Sequence, residues 1–367
     1  MTSFAHVGAL NAICPYFTMF PLAFPRKILS AHARSGQRVL DPFCGRGTTN
    51  FAARLAGLDT VGIDSNPVAA AITSAKLATT TPGAVVHAAR RILDEDARVK
   101  MPAGEFWSLA YRPEVLRSLC RLREALLVDC SSQARRVLRA IVLGALHGPR
   151  AKGSATYFSN QCTRTYAPKP GYAARFWKRR KLLPPQVDVL EVIRTRAERY
   201  LGECLPAVDG IALLDDSRSP DRLQAISGER SFDWIITSPP YYGMRTYVQD
   251  QWLRYWFMGG PDHVDYTVSG QLNHMSPETF AAQLKQVWDN AALVSSKNAR
   301  LVVRFGGIRD RKADPRDLIR ESFRQSAWRL QHVHAAGTAA SGKRQADAFL
   351  KTKTKPMTEC DCWAQLH

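Results

Sequence analysis

The chain has 367 residues, enough to bury a full core and to carry a second domain or a large insertion. Its 51 Lys and Arg against 32 Asp and Glu leave a formal charge of +19, the balance of a chain that partners a polyanion such as nucleic acid. No uncharged apolar run of about 20 residues occurs, which excludes a membrane-spanning helix.

The first residues, MTSFAHVGALNAICPYF, lack a basic region followed by a sustained apolar one, so no signal peptide is expected. From Gly36 the text becomes GQRVLDPFCGRGTTNFAARLAGLDTVGIDSNPVAAAITSAKLA. Arg38–Leu40 reads as a short buried strand running into a glycine-containing turn. Thr48–Ala56 reads as a helix closed by Gly57. Thr60–Ile63 is a second strand ending in Asp64, and Pro67 opens another helix at its first turn. Strand, glycine loop, helix, strand and acid make the opening of a doubly wound α/β sheet.

After Thr79-Thr80-Thr81-Pro82-Gly83 the pattern changes. Residues from about Arg90 to Leu205 read as helical segments, with a loop-rich interval from His147 to Pro185. Alternating text then returns, with strands expected at Gly210–Asp216, Phe232–Ser238 and Ala299–Gly307, and helices at Gln249–Phe257 and Pro277–Ala292. WRLQHVHAAG and QADAFLKTKT read as last, hairpin-like strands. The fold class expected is α/β, a Rossmann-like sheet interrupted by a largely helical, basic insertion. The division expected is 1–89 for the cofactor-binding first part, 90–205 for the insertion and 206–367 for the catalytic second part.

Eight cysteines are scattered without a C-x-x-C pair, so no zinc ribbon or thioredoxin-like site is supported. Cys360-Asp-Cys362 reads as two small residues of a terminal strand. Reduced thiols in a chain of this size point to the cytosol. His147, His274, His332 and His334 show no metal-ligand spacing, so no metal is proposed.

Three stretches carry chemistry. In Asp41-Pro42-Phe43-Cys44-Gly45-Arg46-Gly47-Thr48, two glycines between strand and helix let backbone approach a ligand beside free helix N–H groups. A dinucleotide fingerprint would have three glycines. Here Asp41 precedes two, which suits a ligand bearing positive charge better than a diphosphate. Asp64 stands where an acid takes ribose hydroxyls. Together they favour S-adenosylmethionine; the plain alternative is a tight turn with a helix-capping Asp.

The second stretch is IITSPPYYGMRTY. Two prolines end the preceding strand and leave Ser238, Pro239, Pro240 and Tyr241 on a stiff loop. Tyr242 to Tyr247 follow, able either to shape a base pocket or to pack on Trp252 and Trp256. The third is LHGPRAKGSATYFSNQCTRTYAPKPGYAARFWKRRKLLPP, which contains no acidic residue. Arg150, Lys152, Arg164, Lys169, Arg175, Lys178, Arg179, Arg180 and Lys181 alternate with aromatic residues and supply candidate phosphate contacts, with Asn160 and Gln161 as candidates to reach bases. A solvated basic face over an aromatic core is the alternative for this stretch. The GKRQ turn at Gly342–Gln345 either lies near nucleic acid or is a plain surface hairpin.

DPFCGRGTT and TSPPY resemble the cofactor loop and the catalytic loop of the amino-methyltransferases of DNA. The resemblance covers most of the chain outside the helical insertion. It implies a class I methyltransferase fold, S-adenosylmethionine as cofactor and a flipped base as substrate. By the same resemblance Phe17, Thr18 and Phe20 of CPYFTMFPLAFPRKIL close over the methionine side of the cofactor. Asp41, Phe43, Gly45, Gly47, Thr48 and Asp64 hold it, and Asp216 and Ser217 of ALLDDSRS touch its adenine. Ser238 and the Pro239 carbonyl would accept the two N–H bonds of an exocyclic amine, and Tyr241 would stack on the base.

Serine in the first motif position is usual in family members acting on cytosine N4, while Asp or Asn is usual for adenine N6. The resemblance therefore implies a cytosine-N4 DNA methyltransferase. Adenine-N6 methylation, an RNA guanine-amine methyltransferase and a catalytically silent DNA-binding protein are the alternatives. Implied partners are double-stranded DNA and, optionally, a cognate restriction endonuclease acting on the same site, with no membrane and a monomer or weak dimer. The expected location is the cytoplasm, at the nucleoid of a prokaryote.

Overall fold

The computed structural model describes residues 8–16, 21–149, 156–160, 169–219, 221–227, 230–243, 251–266, 272, 274–307, 313–338 and 358–367. The chain forms two compact units. One comprises Met1–Phe17, Ser74–Leu205 and Thr246–Val268; the other comprises Thr18–Thr73, Pro206–Arg245 and Ser269–His367.

The second unit is built on a seven-stranded sheet. Its strands are β1 (Arg38–Asp41), β2 (Asp59–Asp64), β3 (Gly210–Leu214), β4 (Phe232–Thr237), β5 (Ser295–Gly306), β6 (Trp328–Thr338) and β7 (Thr358–Leu366). The spatial order is β3-β2-β1-β4-β5-β7-β6. β1 to β5 run parallel, and β7 runs antiparallel to both β5 and β6. This is a Rossmann-like sheet with an antiparallel last pair, the arrangement the resemblance implies. Strand order reverses at β1/β4, the switch point outside whose carboxyl ends open α/β sheets bind ligands.

Side-chain alternation separates two cores. Val39, Trp234, Ile236 and Val302 point to one face, where they meet Ile28 and Leu29 of α1 (Ala23–His32) and Ala52 and Ala53 of α2 (Thr48–Leu55). Leu40, Ile235, Leu301 and Val303 point to the other, against α12 (Pro277–Leu293) and α13 (Pro315–Ser322). Cys360 and Cys362 face that second core from β7, with sulfurs 3.9 Å apart. They are the small residues of a terminal strand that the sequence suggests. The strand pattern QADAFLKTKT and the GKRQ turn lie outside the described residues.

The helical unit contains α4 (Pro82–Asp94), α5 (Glu105–Ala110), α6 (Pro113–Val128), α7 (Gln133–Ala145), α8 (Pro170–Arg179), α9 (Val189–Tyr200) and α11 (Trp252–Phe257). The boundary between units falls inside α3 (Pro67–Leu77), and α10 (Asp221–Ser227) belongs to the sheet unit. Helix starts are written locally. Thr81 accepts from Ala84 N–H at 3.2 Å, Ser132 from Arg135 at 3.2 Å and Asp188 from Glu191 at 3.0 Å.

Two expectations need correcting here. The helical region begins at Pro82 rather than near Arg90, and the interval expected to be loop-rich contains α8. Only Ala173, Ala174 and Trp177 of α8 are buried, too narrow a stripe to stand out beside Arg175, Lys178 and Arg179. Among the described residues no helix is long and apolar enough to cross a membrane.

Candidate active site

The carboxyl ends of β1 and β4 are joined by a direct hydrogen bond. Thr237, the last residue of β4, donates its hydroxyl to Asp41 Oδ1 at 2.6 Å. The Phe43 amide donates to the same oxygen at 3.1 Å, which turns the chain sharply after the strand. Asp41 is fully buried, and its Oδ2 has no hydrogen-bond partner among the described residues. The Thr49 hydroxyl faces the carboxyl without reaching hydrogen-bond geometry, and is itself unpartnered there. Burial pushes the Asp41 carboxyl up to about 7, against the pull of these donors.

The two glycines of the loop do different work. Both have positive φ, 50° at Gly45 and 72° at Gly47. A Cβ on Gly47 would lie 2.6 Å from the Thr73 hydroxyl of α3, so this glycine permits close packing beneath the loop. A Cβ on Gly45 would meet no atom closer than the Phe43 carbonyl at 4.0 Å, so this position opens onto free space. Thr73 donates to the Gly45 carbonyl at 3.1 Å. Thr48 begins α2 and is buried, and Phe43 packs edge-on to Trp288 of α12 at 6.2 Å.

Asp64, half-buried at the end of β2, closes the loop from the other side. Its Oδ2 accepts from Gly45 N–H at 2.9 Å and its Oδ1 from Asn66 N–H at 2.8 Å. Burial raises it to about 6, against these two donors. Asp216 and Ser217 follow β3. Arg218 grips the Asp216 carboxylate through its guanidinium and its backbone N–H, and this holds the carboxyl below its usual range despite partial burial. The Ser217 hydroxyl donates to the Pro42 carbonyl, and the Ser217 carbonyl accepts from Asn290 at 3.0 Å. Ser217 thus braces the loop after β1, while the Asp216 carboxylate is engaged by Arg218. Phe17, Thr18 and Phe20 lie outside the described residues.

The Ser-Pro-Pro-Tyr loop continues directly from Thr237. Ser238 is half-buried, and neither its hydroxyl nor the Pro239 carbonyl makes a hydrogen bond among the described residues. Pro239 is buried and Pro240 half-buried. The Tyr241 hydroxyl donates to Glu359 at 2.7 Å. Tyr242 packs on Phe280 at 5.5 Å and His274 at 6.1 Å, and His274 Nδ1 accepts from Gly243 N–H at 3.0 Å. Within the helical unit, Trp252 meets Phe106 and Trp107 edge-on at 4.9 and 5.7 Å, and Trp256 lies tilted against Trp107 at 4.7 Å. Residues 244–247 lie outside the described residues.

With this geometry in place, comparison with known proteins places residues 7–75 in similarity to the DNA methylase family. The matched segment holds α1, β1, the glycine loop and Asp64. No curated protein matched the chain. Among solved structures, an rRNA methyltransferase, aviRa, from Streptomyces viridochromogenes is 12% identical with a TM-score of 0.38, over 100% of this chain and 94% of that one. TrmN from Thermus thermophilus is 10% identical with a TM-score of 0.34, over 95% of this chain and 49% of that one, so this chain spans about half its length. A SAM-dependent methyltransferase from Agrobacterium tumefaciens is 12% identical with a TM-score of 0.34, over 94% and 62%.

In the helical unit, Lys169, Arg175, Lys178, Arg179, Arg180 and Lys181 are all exposed around α8. Lys178 pairs with Glu105. Tyr172 stacks on Phe176 at 6.4 Å and the Arg180 guanidinium lies 5.3 Å from the Phe176 ring centre, so one face of α8 is an aromatic and cationic column. Phe158 and Trp177, by contrast, are core. Asn160 does not reach outward. It is buried, with its amide donating to the Leu183 carbonyl at 2.7 Å, and this corrects its expected role at bases. Arg150, Lys152, Gln161 and Arg164 lie outside the described residues. Among the described residues no group of three or more His, Cys, Asp or Glu could hold a metal.

Sequence reasoning missed Thr237, Thr49, Gly306 and Glu359. Thr237 stood beside the motif and had a signal, a hydroxyl at a buried strand position. Thr49 lay within the quoted DPFCGRGTT stretch and was passed over; Gly306 and Glu359 had no signal, because they act from strands that become neighbours only in the sheet.

Proposed function

We propose that this chain transfers a methyl group from S-adenosylmethionine to the exocyclic N4 of a cytosine turned out of double-stranded DNA. The observation that carries this reading is the Thr237–Asp41 hydrogen bond, which sets the Ser-Pro-Pro-Tyr loop beside the glycine loop at the switch point. The residues there fit the cofactor. The buried, unpartnered Asp41 Oδ2 suits an ammonium group, and the space at Gly45 suits a ligand close to backbone. Each oxygen of Asp64 keeps a second lone pair for a ribose hydroxyl. An adenine would meet Asp216 in competition with Arg218.

The bound cofactor would supply an electrophilic methyl group on a sulfonium. The chain has to orient a weak nucleophile. Ser238 Oγ and the Pro239 carbonyl, both open acceptors, would take the two N–H bonds of the amine and draw its lone pair out of conjugation. Tyr241 would stack on the base. No covalent intermediate is needed. Serine at position 238 favours cytosine by the resemblance already described; adenine N6 is the second reading, since the same acceptors serve either amine.

The exposed cations of α8 support DNA as the partner, through phosphate contacts. A monomer or weak dimer in the cytoplasm, at the nucleoid of a prokaryote and optionally paired with a restriction endonuclease of the same site, completes the proposal. The test is nucleoside mass spectrometry on DNA from cells expressing wild type or Ser238→Ala. N4-methylcytosine with wild type alone is the expected result. N6-methyladenine would overturn the base assignment, and no modified base with intact DNA binding would favour an RNA substrate or a silent binder.

A further inference from the structure

Tyr241 takes its orientation from groups more than sixty residues away. Its hydroxyl donates to Glu359 Oε1 at 2.7 Å, across 118 residues of sequence. Its ring meets Phe305 edge-on at 5.7 Å and rests over Gly306. A Cβ on Gly306 would sit 2.9 Å from the ring Cζ, 3.0 Å from Cε2 and 3.1 Å from Glu359 Cγ. Gly306 is not among the described glycines of positive φ, so glycine serves here for space and not for backbone freedom. Gly306 and Glu359 are register partners on β5 and β7. One strand supplies the seat and its neighbour the anchor for the ring's polar tip.

We propose that Glu359 is a positioning residue that fixes the Tyr241 ring and enriches its π face for a base becoming cationic during methyl transfer. The proposal rests on the methyltransferase reading above. A phenol that donates to a carboxylate shifts electron density into its ring, which strengthens attraction to a cation over the face. When an amine nitrogen bonds to a methyl group, the carbon–sulfur bond breaks with its electron pair going to sulfur. Positive charge then resides on the base until a proton leaves the nitrogen for solvent. A ring that favours the cationic over the neutral base lowers the barrier, because only such differential binding accelerates the step. The hydrogen bond and the Gly306 seat also remove ring rotation before the base arrives.

Four variants test this: Tyr241→Phe, Glu359→Gln, Glu359→Ala and the double Tyr241→Phe/Glu359→Ala. Glu359→Gln keeps an acceptor and loses the charge. With DNA as substrate, kcat is expected to fall about tenfold in Tyr241→Phe and Glu359→Ala, less in Glu359→Gln, with little change in KM. The double variant should be no worse than the worse single, since the pair acts as one unit. A second readout needs no turnover. In protein labelled with 3-fluorotyrosine, the fluorine resonance that disappears in Tyr241→Phe should shift in Glu359→Gln and Glu359→Ala, while Tm and S-adenosylmethionine affinity hold. An unmoved resonance, an unchanged kcat in Glu359→Ala or additive losses in the double variant would overturn the proposal. A fluorine shift in the Glu359 variants alongside wild type that methylates no DNA would overturn the substrate reading, and the catalytic role of Glu359 with it.

Discussion

At the residue scale, Asp41 carries the sharpest consequence. Its carboxyl is held up at about 7 by burial, and that of Asp64 at about 6. A carboxyl whose folded pKa lies above its unfolded value of about 4 adds stability that is complete below that value and lost as pH rises through the folded one. The ligand-free protein should therefore lose thermal stability between about pH 4 and pH 7, and Asp41→Asn should flatten that fall in a calorimetric scan. A cationic ligand reverses the preference, since it needs the carboxylate charged. Titration calorimetry should show S-adenosylmethionine binding more tightly as pH rises, by up to about tenfold per unit below pH 7, with a shallower dependence in Asp41→Asn. The turn that Asp41, Gly45 and Gly47 form was legible because they lie in one short stretch. The division of labour between the glycines was not, since it depends on Thr73, which packs from a helix 26 residues further on.

At the element scale, local rules placed most strands and helices, and failed where a contact across the fold set the boundary. Gly144 in α7 shows what such contacts demand. A Cβ there would lie 2.3 Å from the Ile13 carbonyl and 3.3 Å from Cys14 Cα, both backbone atoms that cannot swing aside. Alanine is the better helix former by about 1 kcal/mol, so propensity alone predicts that Gly144→Ala stabilises the helix. Close approach predicts the reverse, a loss of about 1–3 kcal/mol, read as a lower denaturant midpoint by circular dichroism. The same limit hid α8, whose buried stripe is three residues, and the full length of β5, which starts at Ser295 before its apolar run. Helices opened by Thr-Pro, Ser-Pro or Asp-Pro pairs had strong local signals, since hydroxyl or carboxylate caps and proline's fixed φ act within one turn.

At the scale of the whole molecule, the +19 charge gains a location in the exposed cations of α8. If these contact phosphates, each contact removed should lower the slope of log Kd against log salt by about 0.9. Arg175→Ala combined with Arg179→Ala should thus reduce the slope by about 1.8, measured by fluorescence anisotropy on duplex DNA. Both residues are exposed and neither forms an ion pair among the described residues, so stability should change little. A slope equal to wild type would move the phosphate contacts elsewhere on the chain.

Sequence by itself determined the parallel α/β class and the two loops at the strand ends. Glycine, proline and acid positions impose their geometry through the few residues around them. The tertiary structure decided the rest: Thr237 meeting Asp41 across 196 residues, Asn160 turned into the core, and Glu359 reaching Tyr241 over a glycine seat. Those pairings follow from which strands become neighbours and in which register. Neither property is written in any short window, because a strand's hydrogen bonds look the same whichever partner receives them.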